Sequence, residues 1–400
     1  MTNLPANSSK DVSPTCGSTQ EISAPSVASD TAQLSSEHLS SDQKTDSSLS
    51  NSKETLVRKR KRKKRKRKGL RNAAIILFTL VFIGGLVTWM ALRAVQSGET
   101  AIKGDIKDVH VVTEEDANTD DEGKTVSYNG HTYALNEDMV SLVFIGFDRF
   151  SSAEEEEPAG QADSVMVIAF DTKTGGITAI GVPRDSMVDT SEFVGDPFPN
   201  QDAIQLCLLF SYGDGGTTSC ENTVTAVSRI LYDIPITYYF ALNESGITVL
   251  NDAIGGVSLT PLQTVPGTNI IEGESTVLFG NHAYRYVQWR DTSVLNSSLD
   301  RQARQIQYVK AFSSQALQIS EGSVGTLIDL FNITADYSIT NLGVNEFSYL
   351  ASAALANNVT SLEMITLEGE LVQGEIYAEY YLDKKAVYET LLNVYYRQID

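Results

Sequence analysis

The sequence predicts an α/β protein, an α-β-α sandwich around a mixed central sheet, preceded by one transmembrane helix and a disordered tail. Three observations lead there. Strand-like and helix-like patterns alternate from residue 139 onward. A run of twenty residues at 73–92 carries no ionisable group. Charge is segregated to either side of that run, with 15 Lys/Arg against 7 Asp/Glu in residues 1–71 and 15 against 44 in residues 94–400. With 400 residues, 42% of them hydrophobic, the chain can bury a sizeable core, which excludes a wholly disordered or collagen-like protein. The net charge of −20 argues against the body of the protein being a polyanion binder.

Residues 1–57 are rich in Ser, Thr, Asn and Asp and lack apolar periodicity, so they are expected to be a disordered cytoplasmic tail. Residues 58–72 are a basic juxtamembrane segment, with eleven consecutive cations from Arg58 to Lys68. Abutting an apolar run, such a segment reads as a topology determinant on anionic lipid, and nucleic acid is not an expected partner. The span at 73–92 is about 30 Å long as a helix, with Trp89 near its far interface. It is too long and too far from the start for a signal peptide. The positive-inside rule puts the tail in the cytoplasm and the C-terminal part outside the cell membrane. Residues 93–138 read as an acidic extracellular stalk and 139–400 as the folded domain. Cys207 and Cys220 lie on the outer side, and the residues leave open a disulfide or two buried thiols.

Within the domain, 141–147, 164–170 and 177–182 read as buried strands, and DTKTGG between the last two is a turn, so these form an antiparallel hairpin. Its centre falls at 173.5, and Asp163 and Arg184 are each 10.5 positions away, at the open end. If 142–147 runs antiparallel to 164–170, Asp148 joins the same edge. Residues 221–232 read as a helix with Ser219 as a cap, 234–242 as a strand and 248–254 as a helix. A further helix is expected from Asp300, capped by Ser298 or Asp300. On it Arg301, Arg304, Gln305 and Tyr308 form one stripe, while Ile306, Val309 and Phe312 pack inward from another face. Planar, bidentate guanidiniums suit phosphate oxygens. Five of the eight arginines in 94–400 (Arg149, Arg184, Arg290, Arg301 and Arg304) fall in these segments, which points to a local anion site; ordinary ion pairing is the alternative.

At these residues the sequence resembles the LytR-CpsA-Psr family of bacterial envelope enzymes, from about Met139 to the C-terminus. The resemblance rests on VFIGFD, ADSVMVIAF, the Val-Pro-Arg-Asp turn at 182–185, IPITYYFAL, LNDAIGGV and the Arg-x-x-Arg-Gln at 301–305, in that order. It implies a membrane-anchored transferase that moves a glycopolymer from a polyprenyl pyrophosphate carrier to peptidoglycan as a phosphodiester. It further implies Mg²⁺ held by Asp148 and Asp163, and a diphosphate held by Arg184, Arg290, Arg301 and Arg304 with Gln305 orienting. Asp185 would fix an arginine, and Arg149, Gln161 and Gln288 would line the substrate. Two positions depart from the family pattern: Gln161 and Gln288 stand where arginines are usual, so the site is short of two cations, for which Arg149 or Arg285 would compensate. The departures keep open a non-catalytic envelope scaffold of the same fold, and the basic run at 58–71 keeps open a membrane-bound transcriptional regulator.

Overall fold

The structure, a computed structural model, describes residues 50–105, 118–119, 124–148, 160–189 and 203–400. The chain divides into two compact units, Met1–Leu77 and Phe78–Asp400. The helices among the described residues are α1 (Ser50–Asp105), α2 (Leu206–Ser211), α3 (Thr217–Ile230), α4 (Glu244–Ala253), α5 (Asn281–Gln288), α6 (Ser297–Ser320), α7 (Val324–Asn332), α8 (Val344–Ala356) and α9 (Lys384–Tyr395). Residues 50–57, read as disordered tail, are the first turns of α1. The rest of that tail lies outside the described residues.

The segment Ile76–Lys103 is long and apolar enough to cross a membrane and contains an 18-residue stretch of mean hydropathy 1.9. Its large apolar side chains from Ile76 to Leu92 are 46–73% exposed. That is a surface water would penalise by roughly 25 cal/mol per Å². The Arg93 guanidinium sits 5.1 Å from the Trp89 ring centroid, as expected of an interfacial anchor pair. The C-terminal end of α1 is packed. Ile102 is buried with Val140, Tyr238 and Leu342, and a Cβ on Gly98 would lie 2.1 Å from the backbone oxygen of Asn345 at the start of α8. Glycine is what permits that approach.

The central sheet has six strands: β1 (Met139–Phe147), β2 (Ala162–Asp171), β3 (Ile177–Val182), β4 (Tyr238–Asn243), β5 (Ser338–Thr340) and β6 (Glu363–Thr366), in the order β5-β4-β1-β2-β3-β6. The β1–β2, β2–β3 and β5–β4 pairs are antiparallel, and β4–β1 and β6–β3 are parallel, so the sheet is mixed as expected. Val165 pairs with Val182 and Phe170 with Ile177, which centres the hairpin on the predicted turn. The Asp171 carboxylate closes that turn by accepting from the backbone N–H of Lys173 and Thr174, both at 3.0 Å.

Alternation along β1 assigns its faces. Val143, Ile145 and Phe147 pack against Leu206 and Phe210 of α2, Val227 of α3 and Leu391 and Tyr395 of α9. Phe147 and Phe210 stack at 5.0 Å. Phe144 faces the other way, onto Phe240, which contacts Phe331 of α7 and through it Phe347 of α8. A separate cluster of Ile254, Val257, Tyr286 and Tyr308 joins α4, α5 and α6. Each such large side chain, fully buried, stabilises by about 1.5–3 kcal/mol.

Several local expectations are corrected. Residues 124–138 are part of the body. Strands Thr125–Tyr128 and His131–Leu135 form a hairpin whose second strand pairs with Tyr396–Gln398, and Val126 and Tyr128 lie in the main core. The partner that makes this stretch a strand is at the far end of the chain, so its own weak hydrophobicity misleads. Ser219 is inside α3, its hydroxyl donating to the Phe210 carbonyl at 2.6 Å. Helix α4 starts at Glu244, where Asn243 caps the Gly246 N–H at 3.0 Å. Helix α6 starts at Ser297, placing Asp300 in its first turn. The Arg301, Arg304, Gln305, Tyr308 stripe is the buried face, while Ile306, Val309 and Phe312 are half-buried. Cys207 and Cys220 are buried free thiols with no bridge between them.

Candidate functional site

Three strands end at one rim. Strand β1 delivers Asp148, β2 begins just after Gln161 and runs through Asp163, and β3 leads into Arg184 and Asp185. The chain returns to β2 beside Asp148 through Gly160 at φ +76°, where a Cβ would sit 3.0 Å from both the carbonyl and the Oδ1 of Asp148. The Gln161 N–H donates to Asp148 Oδ1, and the Asp148 N–H to the Gln161 carbonyl at 3.3 Å. Helix α6 lies over the rim and supplies Arg301.

Asp163 is the junction of the site. Arg301 grips it as a fork, Nη1 to Oδ2 at 2.9 Å and Nη2 to Oδ1 at 3.1 Å, and Arg184 Nη1 donates to Oδ1. Arg184 Nη2 donates to Gln161 Oε1 at 2.6 Å and to Cys207 Sγ at 2.9 Å. Its Nε lies 3.3 Å from Asp185 Oδ1, as an ion pair without hydrogen-bond alignment. Asp185 is buried and takes a further hydrogen bond from Gln205 Nε2 at 3.2 Å.

These charges are desolvated. The Arg184, Arg301 and Asp163 side chains are 14%, 6% and 18% exposed. Burial, reinforced by repulsion from Arg184, pulls Arg301 down to about 10. Arg290, on the exposed segment after α5, is also pulled below its ordinary value, first by partial burial and then by Arg301 and Arg184. Among the described residues, Arg290 makes no hydrogen bond or ion pair. Burial pushes the Cys207 thiol up, against the pull of Arg184, so it stays a neutral partner.

Not every expected residue faces the rim. Arg304 is 1% exposed and its donors go to the protein: Nε to the Tyr286 carbonyl at 3.0 Å, Nη2 to the Trp289 carbonyl, and Nη1 to Gln263 Oε1 and, at 3.3 Å, the Asp300 carbonyl. Its guanidinium also stacks 5.1 Å from the Trp289 ring. Gln305 donates to the Val287 carbonyl at 3.3 Å. The expectation that Arg304 holds phosphate and Gln305 orients it is therefore corrected: they fasten α5 and the segment carrying Arg290 to α6. Gln288 is exposed, Arg285 is tied to the Pro266 carbonyl at 3.1 Å, and Arg149 lies outside the described residues. The expected carboxylate pair is divided too, because both oxygens of Asp163 already accept from arginines while Asp148 is exposed.

Glu244, the first residue of α4, was missed. It is 8% exposed, its Oε2 is buried without a hydrogen-bond partner, and Tyr284 hydrogen-bonds its carboxyl. Burial pushes it up; the Tyr284 bond and Arg301 oppose this, and Asp148 adds to it. The signal that would have found it is the parallel register of β1 with β4, which pairs Phe147 with Asn243 and so sets Asp148 beside Glu244. A cavity of about 410 Å³ bordered by Asn136, Met139, Tyr238 and Tyr395 opens at the start of β1, the end remote from this rim.

Residues 102–393 match the model of the LytR_cpsA_psr family, nearly three quarters of the chain. The chain belongs to that family. Among curated relatives, a polyisoprenyl-teichoic acid–peptidoglycan teichoic acid transferase TagU of Halalkalibacterium halodurans is 28% identical over 246 residues, covering 60% of this chain and 74% of that protein. The TagU of a Bacillus cereus strain is 27% identical over 247 residues, covering 61% and 70%. The fold is that of TagV from B. subtilis, with a TM-score of 0.51 at 18% identity over 64% of this chain and 96% of that one. It is also that of protein gbs0355 from Streptococcus agalactiae, with a TM-score of 0.54 at 19% identity over 64% and 86%. In this LytR_cpsA_psr member the family domain begins within α1, at residue 102, which agrees with the packed helix end and with the strands at 125–135.

Proposed function

We propose that this family member is a single-pass membrane transferase, its tail cytoplasmic and its body extracellular, that moves a glycopolymer from a polyprenyl-pyrophosphate donor to peptidoglycan as a phosphodiester. The observation that carries this reading is the convergence of Arg184 and Arg301 on Asp163 at one desolvated rim, in a body that is otherwise strongly acidic. Curated relatives named as teichoic acid transferases supply the substrate class.

The donor's diphosphate is planar-donor chemistry. Arg290, exposed after α5, adds a further cation near the cluster. Arg184 and Arg301, fixed by Asp163 and Asp185, bring a positive potential to the anion from preorganised positions. The acceptor hydroxyl forms the new oxygen–phosphorus bond as the bond to polyprenyl phosphate breaks. In phosphoryl transfer the protein mostly positions and neutralises charge.

Mg²⁺ belongs to the proposal, and the donor set suits it. Asp148 presents an exposed carboxylate at the rim, and Glu244 keeps a buried oxygen with no partner beside it. Hard cations of this size take one or two carboxylates and leave other positions to water and phosphate. Bound there, it would offset charge on the diphosphate. Asp148 would hold it; Asp163 would keep the arginines in line.

Full-length protein in detergent, given Mg²⁺, a polyprenyl-pyrophosphate glycan and peptidoglycan fragments, is expected to release a phosphodiester-linked product. Arg184→Ala and Asp163→Ala are expected to lower turnover about 10²- to 10³-fold, as does removing one preorganised donor elsewhere. Tight binding of the donor lipid with no product under any condition would favour the scaffold, a reading that Gln161 supports by bringing no charge to its place beside Arg184.

A further inference from the structure

The hairpin of Gly369–Gln373 with Ala378–Leu382 contributes no side chain to the arginine cluster, yet it is fastened to it. The Tyr380 N–H donates to the Asp185 carbonyl at 2.9 Å, and Tyr380 bridges Ser186. Gln205 Nε2 donates both to Asp185 Oδ1 at 3.2 Å and to the Ala378 carbonyl at 2.6 Å. Asp185 is in turn the ion-pair partner of Arg184, 3.3 Å from its Nε. The hairpin therefore stands beside a guanidinium of the rim.

Its two faces differ. Tyr380 is buried, its hydroxyl donating to the Leu367 carbonyl at 3.2 Å. The Gly374 N–H donates to the Tyr377 carbonyl at 2.9 Å, which carries the pairing one step past Ala378 to Tyr377. Alternation then puts Tyr377, Glu379 and Tyr381 on the face opposite Tyr380, with Val372 and Glu370 across from Glu379 and Tyr381. Tyr377 and Tyr381 are 61% and 50% exposed and sit about 14 Å apart along one strand. The Tyr381 hydroxyl donates to Glu379 Oε2 at 2.6 Å. Tyr381 also borders a cavity of about 740 Å³ lined by Tyr232, Met187, Val188 and Lys384.

A single exposed apolar side chain needs no explanation; Ile376, Tyr377 and Tyr381 on one short hairpin do. Tyrosines interleaved with carboxylates suit a sugar chain. The electron-rich ring face attracts the weakly positive C–H face of a pyranose, and a carboxylate accepts short, charge-assisted bonds from hydroxyls. Charge selects which sugar chain. Residues 363–383 hold six Asp and Glu and no Lys or Arg, so this face repels a phosphate-bearing donor and tolerates a neutral glycan.

We propose that the exposed face of this hairpin is the acceptor subsite, on which the glycan backbone of peptidoglycan stacks over Tyr377 and Tyr381 and continues into the cavity beside Tyr381. This rests on the transferase reading for the identity of the acceptor. It adds the surface that holds the acceptor chain next to Arg184, on the side of the rim where donor charge is unwelcome.

The probe is peptidoglycan glycan strands freed of their peptides, titrated into full-length protein in detergent without donor lipid. Calorimetry reads affinity, and saturation-transfer NMR with irradiation of aromatic protons reads the sugar C–H groups that lie on a ring. Tyr377→Ala and Tyr381→Ala are each expected to weaken binding about tenfold, as loss of an aromatic anchor does. Tyr377→Phe, which keeps the ring, is expected to stay within about twofold of the parent. Thermal unfolding of all three is expected to match the parent, as for other exposed positions, and Tyr377→Ala is expected to bind donor lipid normally. The proposal is overturned if the parent shows no saturable glycan binding, if Tyr377→Ala binds glycan like the parent, or if Tyr377→Ala loses donor lipid as fully as glycan. Turnover is read apart from binding. Glycan held through Tyr377 by a protein that makes no phosphodiester would sink the transferase reading and leave the subsite standing, whereas product formed with an unchanged acceptor KM in Tyr377→Ala would do the reverse.

Discussion

Arg290 and Arg304 belong to adjacent segments and carry the same group, yet their surroundings divide their roles. Every donor contact of Arg304 is with a carbonyl or amide of the protein, and removing it would orphan the Tyr286 and Trp289 carbonyls in the interior. Arg304→Met is expected to cost about 1–3 kcal/mol of stability, the range for leaving a buried acceptor unsatisfied, visible in denaturant unfolding. Arg290→Gln is expected to stay within about 0.5 kcal/mol of the parent, as surface changes do, and to lose turnover only. Asp171 offers a pH test at the same scale. Burial alone would raise its carboxyl, but hydrogen bonds from Asn136, the Thr174 backbone and Arg397 outweigh it and hold the group at about 2. Because the folded value lies below the ordinary 3.8, its contribution is complete above about pH 4 and is lost as pH falls through 2. Asp171→Asn is expected to cost about 2 kcal/mol at pH 7 and little at pH 2, measured by urea unfolding at both.

At the level of elements, what the sequence discloses depends on how far apart the partners lie. The β2–β3 hairpin is legible because its turn is local, and counting outward from DTKTGG is enough to oppose Asp163 and Arg184. The stripe on α6 is legible as a period, but its direction is not: a helix carrying Arg301 and Arg304 on one face and Ile306 and Val309 on another invites the apolar face inward. Here the rim and the α5 carbonyls claim the arginines instead. Glu244 is hidden for the opposite reason. Its neighbour in space is 96 positions away, joined through a parallel pairing whose choice of strands no local pattern states. The strand at 131–135 is similarly silent until Tyr396–Gln398 closes beside it.

For the molecule as a whole, the join between anchor and body is the property most open to test. An exposed glycine in a helix normally loses about 1 kcal/mol relative to alanine, so Gly98→Ala in a free tether would stabilise. With the Asn345 carbonyl 2.1 Å from the added carbon, the sign reverses. Gly98→Ala is expected to destabilise the body by about 1–3 kcal/mol, as overpacking does. Thermal unfolding of the full-length protein reads it, and a gain in stability would mean the contact is not held. A docked helix end also sets where chemistry can happen. Seated through Gly98 and Ile102, the end of α1 is fixed to the strands that lead into the arginine rim, so on the proposed reading a change at Gly98 would be felt in how far that rim can stray from the helix.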